Sequence, residues 1–550
     1  MKLGTIAAWA RLPSVDRRTS NTWINNDIRP LEPARRTWDT FAFISFWLVN
    51  QLALSNWQLG ASLVATGLSV WQAIVAIIVG KILTSLVAIF NGFVGAQWHI
   101  GFPVLSRFVW GPYGSFIALV QRIILSLVWF SVQSWTGGLC VSVILSAIFP
   151  SFQTLPDVFS SPSLDTKQFV GWILFNVAMA SVLWIRPHKI KYFVLVCNTL
   201  SSIALISITI WSLARAGGGG PLLSQGSSAL SSSDLGWAIT SGVTTVIGSI
   251  AVGLTNANDY SRFARKPGDQ IFGQWFSIIL FGTLLPLFGC LTASATQAIW
   301  GEAVWNPPII CQKWLDDNYS SGSRAAAFFA GVALVACQLA INVVDNAFSA
   351  GMDLAGLVSS YIDIRRGAYL GLILTIAMCP WELLSSASVF ISVLSAYSVF
   401  LGPIVGIQVC DYWIVRRRQI KLSDLYTPNA DGIYYFNKGF NPRSFIAWFL
   451  GFGTQLPGFA ASVNPGHVKV GKTGSELFYL AYPLGFTISF MVHYILNRIF
   501  PPPGLGVIDE VDFFGTFTPD EAAKLGVTVL QESDAINLSM EEKRSSTTKR

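Results

Sequence analysis

The chain has 550 residues, of which 52% are apolar and only 12% charged, where a soluble protein carries about 25% charged. With 21 Trp, 38 Phe and a mean hydropathy of +0.53, it cannot cover a water-facing surface with polar groups, which excludes a soluble enzyme, a disordered scaffold and a nucleic-acid binder. The net charge of +7 is small for this length, the 7 Cys form no C-x-x-C pair, and residues 1–36 contain no apolar run of a secretory signal.

A membrane-crossing helix needs about 20 mostly apolar residues. Twelve runs qualify in chain order, at roughly 38–62, 70–95, 116–148, 168–185, 192–214, 236–257, 271–299, 325–357, 367–380, 385–409, 444–463 and 475–499. Pro380 closes the short ninth run, and the third and eighth are long enough to tilt. No strand alternation runs long enough for an outer-membrane barrel. Polar tails at 1–37 and 500–550 flank the spans, and a loop at 410–443 precedes the last two, 444–499. The Gly/Ser-rich stretch 216–233 divides the rest into five spans at 38–214 and five at 236–409. Basic residues gather in alternate loops: Arg107; Arg186, Lys189 and Lys191; Arg262, Arg265 and Lys266; Arg365 and Arg366; then Arg416, Arg417 and Arg418. The positive-inside rule then places both tails in the cytosol. Asn318-Tyr-Ser320 reads as a glycosylation sequon or as a helix cap before span eight.

Polar groups in the hydrocarbon region are costly and face a cavity or a partner. Span one carries Asn50, Gln51, Ser55 and Asn56, which fits a broken, solvated helix centre or interhelical hydrogen bonding. In span three Trp129 and Gln133 are four apart and share a face. An aromatic plate beside an amide suits a flat heterocycle; plain bundle packing is the alternative. Arg122 lies on the same face, seven residues earlier. Gly242, Gly248, Ser249 and Gly253 mark span six for close packing or for unwinding, since Gly weakens a helix by about 1 kcal/mol relative to Ala. Spans one and six open the two halves, and interrupted helices in matching positions point to a transport site. Span eight places Asn342, Asn346 and Ser349 on one polar face. Asp345 beside them marks a functional site, or a structural partner of Arg122 or of a hydroxyl. It lies about 100° round an α-helix from Asn346. The four His, at 99, 188, 467 and 493, fall near span ends or in loops, and neither a P-loop nor a G-x-S-x-G motif occurs. No metal site or cofactor is expected.

The series Gly101-Phe-Pro-Val-Leu-Ser-Arg107, Trp129-Phe-Ser-Val-Gln-Ser-Trp135, Asn258-Asp-Tyr-Ser-Arg262, Ser349-Ala-Gly-Met-Asp353, Tyr361-Ile-Asp-Ile-Arg-Arg-Gly367 and Asp411-Tyr-Trp-Ile-Val-Arg-Arg-Arg418 stands in order at matching span positions. Over roughly residues 20–520 the chain resembles the nucleobase–cation symporter family, in its fungal Fur-type branch. The resemblance implies an all-α membrane protein of twelve transmembrane helices. Two inverted five-helix repeats would form the core, with helices one and six broken at mid-membrane and two peripheral helices outside it. It implies import of uracil, uridine, allantoin, uric acid, cytosine, hydantoins or thiamine-type compounds with H⁺ or Na⁺. Carried over by position, Trp129 stacks on the substrate ring, Gln133 is its amide partner, and Asn346 bonds the substrate. Ser249 presents backbone to the ligand, Ala53 falls near a span-one Gln, and Asn342 belongs to the same polar face. The stretch Phe390-Ile-Ser-Val-Leu394 resembles the outer gate, with Phe390 and Leu394 as its candidates. Ile250 stands where bacterial members carry a second stacking Trp. Ala340 and Ile341 stand where those members carry the hydroxyls of a sodium site.

The expected activity is proton symport of uracil, allantoin or uric acid, with H⁺ favoured over Na⁺ as the coupling ion and Asp345 as the candidate carrier. Asp353, Asp259 and Glu382 are alternatives. A thiamine or nicotinamide riboside importer of the same fold is the first rival, and a non-transporting membrane sensor the second. The family implies the plasma membrane. The tail 501–550 reads as disordered, with trafficking or ubiquitin-ligase adaptor contacts implied by resemblance alone.

Overall fold

In a bilayer a backbone N–H or C=O finds its partner only within a helix or a closed barrel, and the spans of this chain are helical. The computed structural model describes residues 11–12, 23–159, 161, 163–185, 190–226, 231–464 and 466–529. Arg186, His188, Lys189, positions 227–230 of the Gly/Ser loop, and positions 530–550 of the tail lie outside the described residues.

The first expected span is two helices, α1 (Thr40–Gln51) and α2 (Leu54–Ala65). A capping box at Ser69 and Gln72 starts α3 (Val70–Trp98), and α4 (Phe102–Trp110) and α5 (Ser115–Ile148) follow. Next come α6 (Thr166–Val182) and α7 (Lys191–Ala216). The sixth span is again in pieces: α8 (Ser232–Gly248), α9 (Ala251–Thr255) and α10 (Ala257–Ser261). After α11 (Asp269–Trp300) and α12 (Pro307–Asp317), the eighth span runs from α13 (Ser321–Ile341) through a π-helical segment, Asn342–Ala347, into α14 (Phe348–Leu357). Ser320 caps α13, so this serine of the sequon serves as a helix cap. Then come the short α15 (Ile364–Leu374), the long α16 (Ala387–Cys410) and α17 (Leu422–Tyr426). The last two spans are each divided, into α18 (Pro442–Gly453) with α19 (Leu456–Val463) and α20 (Lys472–Tyr479) with α21 (Ala481–Ile499). Among the described residues six helices are individually long and apolar enough to cross a bilayer, or seven when the α20–α21 pair, bent by 81°, counts as one. The other expected spans are broken or short.

Small residues let the helices touch. A Cβ on Gly138 of α5 would lie 2.5 Å from the Cα of Trp172, so α6 lies directly on α5. Ile78, Leu86, Ile124, Ile203 and Phe272 point outward as an apolar belt, which suits lipid contact.

Both described ends of the chain meet at one end of the bundle. Arg36 Nη1 bonds Glu521 at 2.8 Å, and Arg107 Nη1 donates to the carbonyls of Trp23 and Leu425, each at 2.9 Å. Arg262 Nη1 donates to the Asp27 carbonyl at 2.8 Å. Arg107, Arg262 and Arg416 of the basic loops are buried ties between loops, and one expectation, the disordered tail, changes here. The tail is ordered as far as 529: β1 (Val511–Asp512) pairs in parallel with β2 (Thr528–Val529), a capping box on Thr518 and Glu521 starts α22 (Pro519–Leu525), and Phe517 packs edge-on against Trp98. A polar average over 50 residues conceals the apolar docking group of Phe514 and Phe517.

His99 follows α3 and faces this clasp. Its Nε2 accepts from Arg36 Nη1 at 2.6 Å and its Nδ1 donates to the Arg262 carbonyl at 3.1 Å, so the ring is held neutral. Burial, and then the Arg36 charge, push its pKa down to about 4. Half-burial opposes the charge of Glu521, but the Thr518 N–H and Arg36 outweigh it and hold its carboxyl below the usual range. A depressed histidine contributes fully above its free value of about 6.5 and loses that contribution as pH falls toward the folded value. Glu521 adds a further loss only near the bottom of that range. Protease cleavage within 501–529 of the purified protein should therefore speed up from pH 7 to pH 5, and His99→Asn should flatten that dependence. A cleavage rate constant across this interval contradicts the assignment.

Candidate functional site

The two helix breaks border one cavity. The α-helical ladder of α1 stops at Gln51, and Ala53 turns into extended backbone at φ −65° and ψ 143°. The carbonyls of Asn50 and Gln51 are then taken by Asn56 Nδ2, at 3.3 and 3.2 Å. At the second break, the backbone carbonyl of Leu394 occupies the place a side chain on Gly248 would need, so only glycine allows α16 this close. Ser249 Oγ turns back to the Val246 carbonyl at 2.7 Å, which fixes the end of α8.

The π-helical segment of span eight changes which side chains face inward. An α-helix would separate Asp345 and Asn346 by about 100°. The wider winding of Asn342–Ala347 brings both to the cavity wall. The cavity measures about 60 Å³. Five rings line it (Phe46, Trp47, Trp129, Tyr260 and Tyr397), with the amides of Asn50, Asn56, Gln133, Asn256 and Asn346, the hydroxyl residues Ser55, Ser249 and Ser349, and the carboxylate of Asp345.

Of the residues expected at the site, Trp129, Gln133, Asn346, Ser249, Ala53 and Asp345 all line this cavity. Trp129 meets Tyr397 edge-on at 6.1 Å, and the Tyr397 hydroxyl is anchored on the Leu125 carbonyl at 3.0 Å. Gln133 Oε1 is buried without a protein partner among the described residues, an arrangement that calls for a ligand or a water. Asn342 stands elsewhere than expected. It is wholly buried behind the wall, accepts from Asn346 Nδ2 at 2.7 Å and donates to the Phe130 carbonyl at 3.4 Å. It thereby orients Asn346, which uses one of its two amide N–H donors on Asn342 and keeps its carbonyl oxygen for a ligand. The π winding sets Asn342 one layer back from the face that α-helical spacing predicts for Asn342, Asn346 and Ser349.

Phe390 stacks between Trp129 and Trp305, with ring centroids 6.4 and 5.3 Å away, and Leu394 is wholly buried beside Gly248. Both belong to α16, which with α2, α8, α19 and α20 also bounds a vestibule of about 840 Å³. Toward the chain termini the cavity is backed by a second layer: Arg122 pairs with Asp353, Arg122 Nη2 donates to Ser349 Oγ at 2.7 Å, and Asn256 Nδ2 donates to the same oxygen at 2.9 Å. The structural partner of Arg122 is thus Asp353 and not Asp345. Asp259 accepts from the backbone of Phe102 at 2.8 Å, and Glu382 is exposed beside Ser163. Among the described residues, Asp345 is the carboxylate that lines the cavity, and it accepts from Asn50 Nδ2.

Sequence reasoning missed Tyr260, Tyr397 and the aromatic pair Phe46 and Trp47, because a ring in a membrane helix carries no signal of its own. It also passed over Lys81, a charge in the middle of the apolar helix α3, which the same cost argument that marked Asp345 could have found. No group of three or more His, Cys, Asp or Glu among the described residues could hold a metal ion.

Residues 30–485 match the family described as permease for cytosine/purines, uracil, thiamine, allantoin. The chain belongs to that family. It is therefore a multi-pass membrane transporter and not an enzyme. Among curated relatives, the Transporter aclS of Aspergillus oryzae is 47% identical over 92% of this chain and 91% of its own. The thiamine transporter THI72 of Saccharomyces cerevisiae is 33% identical over 95% of this chain and 87% of its own. The fold is shared with Mhp1. The inward-facing conformation of Mhp1 superposes with a TM-score of 0.70 at 17% identity, over 94% of this chain and all of the other. Its closed form, titled as a nucleobase-cation-symport-1 family transporter with bromovinylhydantoin bound, gives 0.66 at 19%, over 92% and 99%.

Proposed function

We propose that this permease imports a small, planar nitrogen-rich ring, a nucleobase or a related compound such as uracil, allantoin or uric acid, together with a proton. The observation that carries the reading is the convergence of Trp129, Gln133, Asn346 and Asp345 on one cavity between two broken helices. Trp129 offers a face for stacking. The Asn346 carbonyl oxygen accepts a ring N–H, and Gln133 meets the complementary edge. Phe390 and Leu394 close the vestibule side, while the Arg122–Asp353 layer closes the side of the termini. Alternating release of these two layers would expose the cavity to each side in turn.

The coupling ion follows from the oxygens on offer. A sodium ion needs a cage of them. Ala340 and Ile341 supply none from their side chains, and the carbonyls freed at the break in span one are already bonded to Asn56. A proton needs one acceptor, which Asp345 provides. We assign the termini to the cytosol from the positive-inside rule and the chain to the plasma membrane from its resemblance to the family. A second reading rests on the same carboxylate: five rings around an anion also suit a ring with fixed positive charge, as in thiamine or nicotinamide riboside.

Uptake of a radiolabelled panel by cells expressing the chain tests both. Saturable accumulation of a neutral nucleobase, competed weakly by thiamine, supports the first reading. Uptake of the cationic rings alone supports the second, and uptake of neither overturns both. Single cysteines in the same cells should be labelled from outside at Ser224 and from inside at Asn429; the reverse pattern overturns the orientation.

A further inference from the structure

Lys81 is wholly buried in mid-helix. Its methylenes lie against Gly282 of α11, where a Cβ would come 3.0 Å from Cδ and Cε, so glycine makes the room. The Nζ donates to Gln51 Oε1 at 2.9 Å and to Asn56 Oδ1 at 3.0 Å, one residue on each side of the break in span one. No carboxylate among the described residues pairs with it. Those on the helices around α3 are engaged elsewhere. Asp259 accepts from the Phe102 backbone and from Asn256, Asp269 from the Lys266 backbone, Asp234 from the Ser231 hydroxyl, and Asp411 from both Arg416 and His493. A buried ammonium without compensation is strongly unfavourable.

Compensation comes through two amides. Gln51 Nε2 donates to Asn50 Oδ1 at 3.1 Å, and Asn50 Nδ2 donates to the Asp345 carboxylate. Three hydrogen bonds thus run in one direction, from cation to anion, each amide polarised by the one before it. Asp345 itself is faced by Asn50 and, across the cavity, by Tyr260; Arg122 is committed to Asp353. We propose that Lys81 is a positioning residue for coupling: a resident cation at the break of span one which, through Gln51 and Asn50, orients the Asp345 carboxylate and forms with it one charge pair across the break. The proposal rests on Asp345 as the proton acceptor. When Asp345 takes a proton, Asn50 loses its charged acceptor, and the hold of α1 on span eight loosens.

The test is a double-mutant cycle of Lys81→Met, Asp345→Asn and the two combined, read as surface level, substrate counterflow (which needs no net proton movement) and pH profile. Lys81→Met leaves the carboxylate without its counter-charge and should lose most surface protein or counterflow, and the falling limb of its uptake should move to higher pH. The double variant removes both charges and should recover surface level or counterflow by roughly tenfold over Lys81→Met, as coupled sites do. A Lys81→Met variant with the wild-type pH profile, or a double variant no better than the product of the singles, overturns the proposal. Proton-driven accumulation persisting in Asp345→Asn discards Asp345 as the carrier, while recovery in the double variant still upholds the charge pair.

Discussion

Asp353→Ala is expected to remove most of the protein from the membrane, lowering its surface level more than tenfold. Arg122 and Asp353 are both wholly buried, and truncating the acid leaves the guanidinium with Ser349 Oγ as its remaining side-chain hydrogen-bond partner. Breaking a buried pair by removing one partner costs about 3–5 kcal/mol, a large share of the 5–15 kcal/mol that holds a typical fold together. The cation lies against the Phe102 ring at 4.9 Å, an interaction too weak to stand in for a carboxylate. Replacing both residues with apolar ones of similar size, as in Arg122→Met with Asp353→Leu, should restore surface level but not transport, because the layer that must open and close has lost its polar hold. Fluorescence of a tagged protein at the cell surface measures this, and a wild-type level for Asp353→Ala contradicts it.

The second large effect is on the apparent KM. Gln133→Ala and Asn346→Ala should each raise it several-fold at normal surface level, since a lost neutral hydrogen bond costs about 0.5–1.5 kcal/mol, and more where its partner stays buried. Asn342→Ala should act only through Asn346. Combined with Asn346→Ala it should therefore raise KM no further than Asn346→Ala alone, whereas independent sites would multiply. Normal kinetics for both Gln133→Ala and Asn346→Ala would remove this cavity from consideration.

Much of this site is legible in the sequence, for identifiable reasons. The breaks in spans one and six follow from Asn50, Gln51 and Asn56 in one and from Gly248 and Ser249 in the other, since such groups are costly in an intact apolar helix. α-Helical spacing puts Trp129 and Gln133 on one face, and the family resemblance marks them as binding residues. What spacing could not give is the π-helical turn at Asn342–Ala347, which depends on how span eight packs and which exchanges Asn342 for Asp345 at the wall. Nor could it assign Arg122 to Asp353 rather than Asp345, because both acids lie in span eight and only the winding between them decides. The docked tail was hidden for another reason: Phe517 finds its partner Trp98 more than 400 positions away in sequence.

The proposed transport cycle requires that one proton on Asp345, and no sodium ion, accompany the substrate into the cell. Initial uptake of the labelled substrate, measured across external pH from 5 to 8 in sodium and in choline buffers, tests it most directly. The expected result is uptake that falls as pH rises, is the same in both buffers, and loses both its pH dependence and its accumulation in Asp345→Asn. Uptake that requires sodium and is level across that pH range would contradict it.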